Sequence, residues 1–175
     1  MAKGPNYVVG YRRKRKGKTN YKKRLDLLKS GRSRVVIRKS NKHTTAQIVD
    51  YKDDGDIVIA SSHSSELKKF GWSHGSGNIP ASYLTGLLCG LRAKSKGVKK
   101  AILDVGLGPS VKGNKIYSTL GGVQEGGIEI PMDEEIAPTK ERVEGKHISD
   151  YKKDDKITKE FKQVKENIMK SLSKS

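Results

Sequence analysis

"NIPASYLTGLLCGLRAKSKGVKKAILDVG", residues 78–106, decides the fold. Asn78 can cap a helix, and Pro80 stands in the first turn, where a missing amide costs nothing. Tyr83, Leu84, Leu87, Leu88 and Leu91 then follow 3–4 spacing and define an apolar face. Lys94 and Lys96 suit the negative end of the helix dipole, and Gly97 is a natural stop. Gly86 and Gly90, four apart, thin one side and admit close backbone packing. The following "KAILDVG" (100–106) reads as a buried strand. A strand, this helix and then another strand make a right-handed crossover onto a parallel partner.

Toward the N-terminus, "RVVIRKS" (34–40), "TTAQIVDY" (44–51) and "IVIA" (57–60) read as strands by their β-branched content. In the second, alternation sets Thr45, Gln47 and Val49 on one face and Ala46, Ile48 and Asp50 on the other. "SNKH" (40–43) is a tight connection, and "KDDGD" (52–56) is a turn because Asp and Gly tolerate left-handed backbone. These three strands form an antiparallel meander. Residues 61–77 are rich in Ser, Gly and His, with one helical turn around "SELKKFG". Ahead of the strands, residues 21–29 predict a short helix with Leu25 and Leu28 on one side and Gly31 as its stop.

Toward the C-terminus the chain is glycine-rich over 106–131, where "NKIYSTLGGVQEGG" (114–127) predicts a weak helix interrupted by Gly121 and Gly122. Residues 130–148 read as loop with one short helix before Gly145. Ile157, Phe161, Val164, Ile168 and Leu172 then form one apolar stripe on a last helix, lysine-rich elsewhere. That stripe packs on the chain's own core or docks on a neighbour. The expected fold is α/β, with a small mixed sheet: a three-strand antiparallel meander plus one parallel strand reached through a helical crossover. Residues 1–24 form a basic arm, 25–130 the core, and 131–175 a helical extension packed on the core or on neighbours.

The charge is as uneven as the pattern. The net charge is +18 over 175 residues, yet residues 1–45 hold sixteen Lys or Arg against one acid, Asp26, while the rest hold 21 against 18. Tyr11, Arg12, Arg13, Lys14, Arg15, Lys16, Lys18, Tyr21, Lys22, Lys23 and Arg24 crowd nine cations and two stacking rings into fourteen residues. Such a segment repels itself and is expected to be extended or disordered when alone. A polyanion that releases counterions reverses the balance, and Arg adds bidentate phosphate geometry and stacking. The arm lacks the apolar face of a membrane-surface helix. No apolar run reaches the ~18 residues of a membrane span, and no apolar stretch follows the basic start as in a signal peptide. The apolar content of 33% is enough for one core. One cysteine, Cys89, excludes an intramolecular disulfide and fits a reducing cytoplasm.

Several enzymatic readings fail on spacing. Gly106-x-Gly108 after a strand resembles a dinucleotide fingerprint, but Val111 stands at the third glycine position. Gly108-x4-Gly113 has phosphate-loop spacing, but Asn114 and Lys115 replace the required Lys and hydroxyl. His43, His63, His74 and His147 share no ligand spacing with one another or with Cys89, which reads as a small core residue. The serines around His63 lack an elbow and a partner acid. Asp50, Asp104 and the turn acids Asp53, Asp54 and Asp56 are the carboxylates available for a two-metal site, with the turn acids expected in solvent. Asp133, Glu134 and Glu135 form an acidic run in a loop. No metal, cofactor, small-molecule substrate or catalytic residue is assigned.

"RVVIRKSNKHTTAQIVDY" (34–51), "SSHSSELKKFGW" (61–72), "NIPASYLTGLLCGLRAKSKGVKKAILDVGL" (78–107), "GGVQEGGIEIP" (121–131) and "RVEGKHI" (142–148) occur in that order behind the arm. This series, over residues 7–170, resembles the L-eighteen family of large-subunit ribosomal proteins in its archaeal-type form. The resemblance implies a cytoplasmic protein of the large ribosomal subunit that binds 5S ribosomal RNA, helps attach it at the central protuberance, and touches 23S ribosomal RNA and neighbouring ribosomal proteins. It also implies a small α/β domain. Carried onto this chain, the RNA-binding positions are the arm from Arg12 to Arg24, then Arg34, Arg38, Lys39, Ser40, Asn41, Lys42 and His43. The loop with Lys112, Gly113 and Lys115 is a second candidate patch. The competing reading is an architectural DNA- or RNA-binding protein away from the ribosome, for which no zinc finger, basic zipper or sustained heptad is present.

Overall fold

The computed structural model describes residues 4–153 and 155–172. Four strands, β1 (Ser33–Lys39), β2 (Thr44–Asp50), β3 (Ile57–His63) and β4 (Ala101–Asp104), lie in the order β3-β2-β1-β4. The first three pair antiparallel, and β4 pairs parallel to β1. The expected mixed sheet is therefore present. Strand β3 runs three residues past the predicted "IVIA". Its serines hid this, yet Ser62 is buried and donates its hydroxyl to the Thr85 carbonyl at 2.8 Å. A register shift between Ile48 and Val49 breaks the predicted alternation of β2, so that both residues are buried.

Two short N-terminal helices, α1 (Arg12–Arg15) and α2 (Tyr21–Leu28), precede the sheet. The Asn20 side chain caps α2 by accepting from the Lys23 amide at 3.1 Å, and Gly31 beyond its end takes φ +62°. The inner face of α2 differs from the expected one. Leu25 is exposed, and Tyr21, Arg24, Leu27 and Leu28 are the half-buried residues.

Helix α3 (Ile79–Ser95) is the centre of the molecule. Asn78 accepts from the Ala81 amide at 2.8 Å as its cap, and Gly97 closes it at φ +82°. One side, with Cys89 and Ala93, packs on Val35, Ile37, Ala46 and Ile48 of the sheet. Another, with Leu84, Leu87 and Leu88, packs on Ile157, Phe161, Val164 and Ile168 of α7 (Lys156–Leu172). The helix is thus buried on more faces than the leucine spacing predicts. The C-terminal stripe meets the chain's own core; the side chain of its fifth member, Leu172, lies outside the described residues, as does that of Glu134 in the acidic run.

Helix α4 (Lys115–Glu125) runs unbroken through Gly121 and Gly122, against expectation. The reason is contact with α3. A Cβ on Gly86 would stand 1.9 Å from the Thr119 carbonyl oxygen, and one on Gly122 2.1 Å from that of Tyr83. Gly90 and Gly126 meet in the same way one turn on, with a Cβ on Gly126 2.8 Å from the Gly90 backbone. Two glycine pairs, each at spacing four, let the backbones touch. The region around Gly145 holds two helices, α5 (Lys140–Glu144) and α6 (Lys146–Lys152), where one was expected.

Candidate nucleic-acid interface

Val35 and Ile37 of β1 point into the core, so Arg34, Val36 and Arg38 fall on the opposite, open face of the sheet. The pairing sets Gln47 beside Val36 and Thr45 beside Arg38. Residues of α2 and of the segment before it share a groove of about 830 Å³ with this face.

A chain of charges fastens the groove. Arg24 donates to Asp56 at 2.8 and 3.0 Å, Arg34 donates to Asp56 at 2.7 Å, and Arg34 also donates to Asp104 at 3.0 Å. Asp104 in turn accepts from the Gly106 amide at 2.9 Å, and its carbonyl accepts from Arg38 at 3.2 Å. Four separate segments are tied together in this way. Asp56 therefore does not sit free in solvent, as the turn composition suggested. Burial works against its ionisation, but hydrogen bonds and charge from Arg24 and Arg34 outweigh it and hold its pKa below the usual carboxylate value. The Asp56 hydrogen bond, working against partial burial, raises that of Arg24.

The candidate residues divide by place. Arg12, Arg13, Lys14, Arg15, Lys16, Lys18, Lys22 and Lys23 are exposed around α1 and α2. The arm is not extended: α1 forms one turn, Arg13 donates to the Thr19 hydroxyl at 2.8 Å, and the rings of Tyr11 and Tyr21 lie 5.0 Å apart. Arg38, Lys39, Ser40, Asn41 and Lys42 are exposed at the end of the β1–β2 hairpin. Ser40 shapes that turn, since its amide and hydroxyl both donate to the His43 carbonyl, at 2.8 and 3.0 Å. His43 is half-buried, its ring 4.8 Å from that of His63 and its Nδ1 3.1 Å from the Ser64 hydroxyl. Arg34 stands apart. It is 1% exposed and its charge is met from inside by two carboxylates, so it organises the surface rather than presenting a cation.

The glycine-rich loop joins the same face at one point. Lys115 donates to the Ser40 carbonyl at 2.9 Å, and burial together with Lys39 lowers its pKa. Lys112 is exposed. The start of α4 is not open to a phosphate, because Asn114 already accepts from the Ile116 and Tyr117 amides at 2.7 and 3.3 Å. The serines near His63 open a short helical turn that His63 and Glu66 cap: His63 accepts from the Ser65 amide at 3.2 Å, and Glu66 accepts from the His63 amide at 2.8 Å. Cys89 is fully buried, and that burial pushes its thiol up to about 12. Among the described residues no three His, Cys, Asp or Glu side chains converge as metal ligands, and no helix is long and apolar enough to cross a membrane.

Sequence reasoning missed the groove, because its walls come from residues 13–27, 34–58 and 104–116. The only signal was the odd pairing of basic Arg34 and Arg38 with an otherwise apolar strand.

Comparison with known proteins places this architecture. The family described as "Ribosomal large subunit proteins 60S L5, and 50S L18" matches residues 5–99. The large ribosomal subunit protein uL18 of Korarchaeum cryptofilum (strain OPF8) is 48% identical over 151 residues, covering 86% of this chain and 77% of its own. The protein of the same name from Methanobrevibacter smithii is 44% identical over 164 residues, covering 92% of this chain and 85% of its own. Identity near one half over most of the chain is kinship rather than shared fold alone: the chain belongs to the L5/L18 family of large-subunit ribosomal proteins.

Proposed function

We propose that this protein is a structural constituent of the large ribosomal subunit, in the cytoplasm, that binds 5S ribosomal RNA and helps attach it at the central protuberance. Contacts with 23S ribosomal RNA and with neighbouring large-subunit proteins complete this reading. The observation that carries it is the joining of an exposed cationic arm to the exposed hairpin end of a rigid sheet, in a chain of this family. In the arm, Arg12 to Lys18, Lys22 and Lys23 neutralise phosphates, and Tyr11 and Tyr21 offer rings to unpaired bases. Arg24 is already held by Asp56 and serves to dock α2. Arg38, Lys39, Ser40, Asn41, Lys42 and His43 make the second contact, with Lys112 and Lys115 beside them. Structured RNA is recognised by shape, phosphates and splayed bases, which suits such a surface. The role is one of binding: Asp56 and Asp104, the candidate metal carboxylates, are engaged by arginines instead.

A titration at two salt concentrations tests the reading, comparing 5S ribosomal RNA with an unrelated structured RNA and a DNA duplex of similar length. A preference for 5S RNA that persists at the higher salt is expected. Equal affinities that collapse together with salt would show a bare polycation and remove the 5S assignment.

A further inference from the structure

We infer that the groove between α2 and the open face of the sheet holds one unpaired nucleotide of the bound RNA, base inward and phosphate at the rim. This rests on the RNA-binding reading above and adds the class of ligand and its place. A surface that only neutralises phosphate needs exposed cations and no concavity. Here the cations surround a hollow of about 830 Å³, within the size range of sites for organic ligands. Its lining is part apolar, with Leu27, Val36 and Val58, and Tyr21 contributes a ring. Arg13, Lys18, Lys23, Arg38 and Lys39 border it. The two carboxylates that also border it, Asp56 and Asp104, are engaged by Arg24 and Arg34, so the cations prevail.

One polar group in this lining matches a base better than a phosphate alone. Gln47, paired with Val36 on the open face, supplies an amide that both donates and accepts. A base within an RNA duplex has its faces stacked and its edges paired, whereas an unpaired one can be splayed into such a hollow.

The test uses the full chain and 5S ribosomal RNA, titrated at several salt concentrations, with an unrelated structured RNA alongside. Val36→Trp fills the hollow without altering charge. It is expected to weaken 5S binding roughly 10- to 100-fold, the range for losing one stacked base, with the salt slope unchanged. Unchanged affinity, or a loss accompanied by a shallower slope, overturns the inference, since the second result means that the groove holds phosphate only. Should Val36→Trp fail to fold, cross-linking of wild-type protein to 5S RNA carrying 4-thiouridine decides. Cross-links to Tyr21, Val36 or Gln47 support the nucleotide, and cross-links confined to residues 11–18 overturn it. Absence of any 5S preference in the wild type would instead count against the 5S assignment. The groove would then be judged by the same variant and cross-link against the unrelated RNA.

Discussion

Arg34 shows how one residue type serves two ends. By composition it is one more cation in a basic segment, but it is buried, with Asp56 on one side and Asp104 on the other. Removing one partner of a buried pair is costly because the other charge stays behind. Asp56 and Asp104 retain 26% and 13% side-chain exposure, which softens the penalty. Arg34→Met is therefore expected to lose about 2–3 kcal/mol, read from urea midpoints, rather than the full cost of a sealed pair. The same cluster sets an acid limit. Asp56 and Glu66 both have pKa values below their ordinary 3.8 and 4.5: burial opposes their charge, but hydrogen bonds, from Arg24 and Arg34 to the first and from Arg92 to the second, prevail. A carboxylate depressed on folding contributes stability that is complete above its unfolded value and is lost as pH falls through the folded one. Stability is thus expected to hold down to about pH 4.5 and to decline below it. Asp56→Asn should be less stable at neutral pH and show a shallower decline in that acid window. Parallel curves for variant and wild type would remove Asp56 from the account.

At the scale of elements, the α3–α4 contact turns on adjacent glycines with opposite surroundings. Alanine is favoured over glycine in a helix interior by about 1 kcal/mol. At Gly121 a Cβ would meet the Tyr83 ring at 3.6 Å, an ordinary contact, so Gly121→Ala should stabilise by about 0.5–1 kcal/mol. At Gly122 it would meet backbone at 2.1 Å, so Gly122→Ala should destabilise by about 1–3 kcal/mol as the helices are forced apart. Thermal or urea unfolding of the pair gives opposite signs if the packing is as described. On α7, Phe161 is 3% exposed and lies 5.9 Å from the Tyr83 ring, so Phe161→Ala should cost about 3–5 kcal/mol in the same assay. These elements also show what was legible beforehand. The crossover helix, its cap, the meander and the α7 stripe each follow from local periodicity, which a single sequence carries in full. Gly121 and Gly122 read as breaks because propensity counts the cost of glycine and not the partner backbone that repays it. The end of β3 was hidden by its serines, of which Ser62 is buried with its hydroxyl satisfied by α3, a long-range contact that local pattern does not hold. The arm and hairpin end of the candidate site were visible as charge density, whereas the burial of Arg34 and the groove itself depend on three distant segments meeting.

For the whole molecule the question is how far the arm and the folded body divide the work. Residues 1–19 carry seven Lys or Arg, and among the described ones only Gly10 and Thr19 are even half-buried. Asn20 caps α2, and Arg24 fixes that helix to Asp56, so a cut ahead of Asn20 spares both devices. A chain lacking residues 1–19 should therefore unfold at the temperature of the full chain, because no core contact of the described residues is removed. Its RNA binding should change in a way that counts charges. If the six cations from Arg12 to Lys18 each neutralise one phosphate, the slope of log affinity against log salt flattens by about 4–5 units, at ~0.7–0.9 per contact. Affinity at low salt falls with it, while any preference for 5S RNA that resides in the hairpin end and the groove persists. An unchanged slope would place the phosphate contacts on the body, at Arg38, Lys39, Lys42 and Lys115. Loss of slope together with loss of preference would mean instead that the arm reads shape as well as charge, with Tyr11 and Arg13 the first residues to substitute singly.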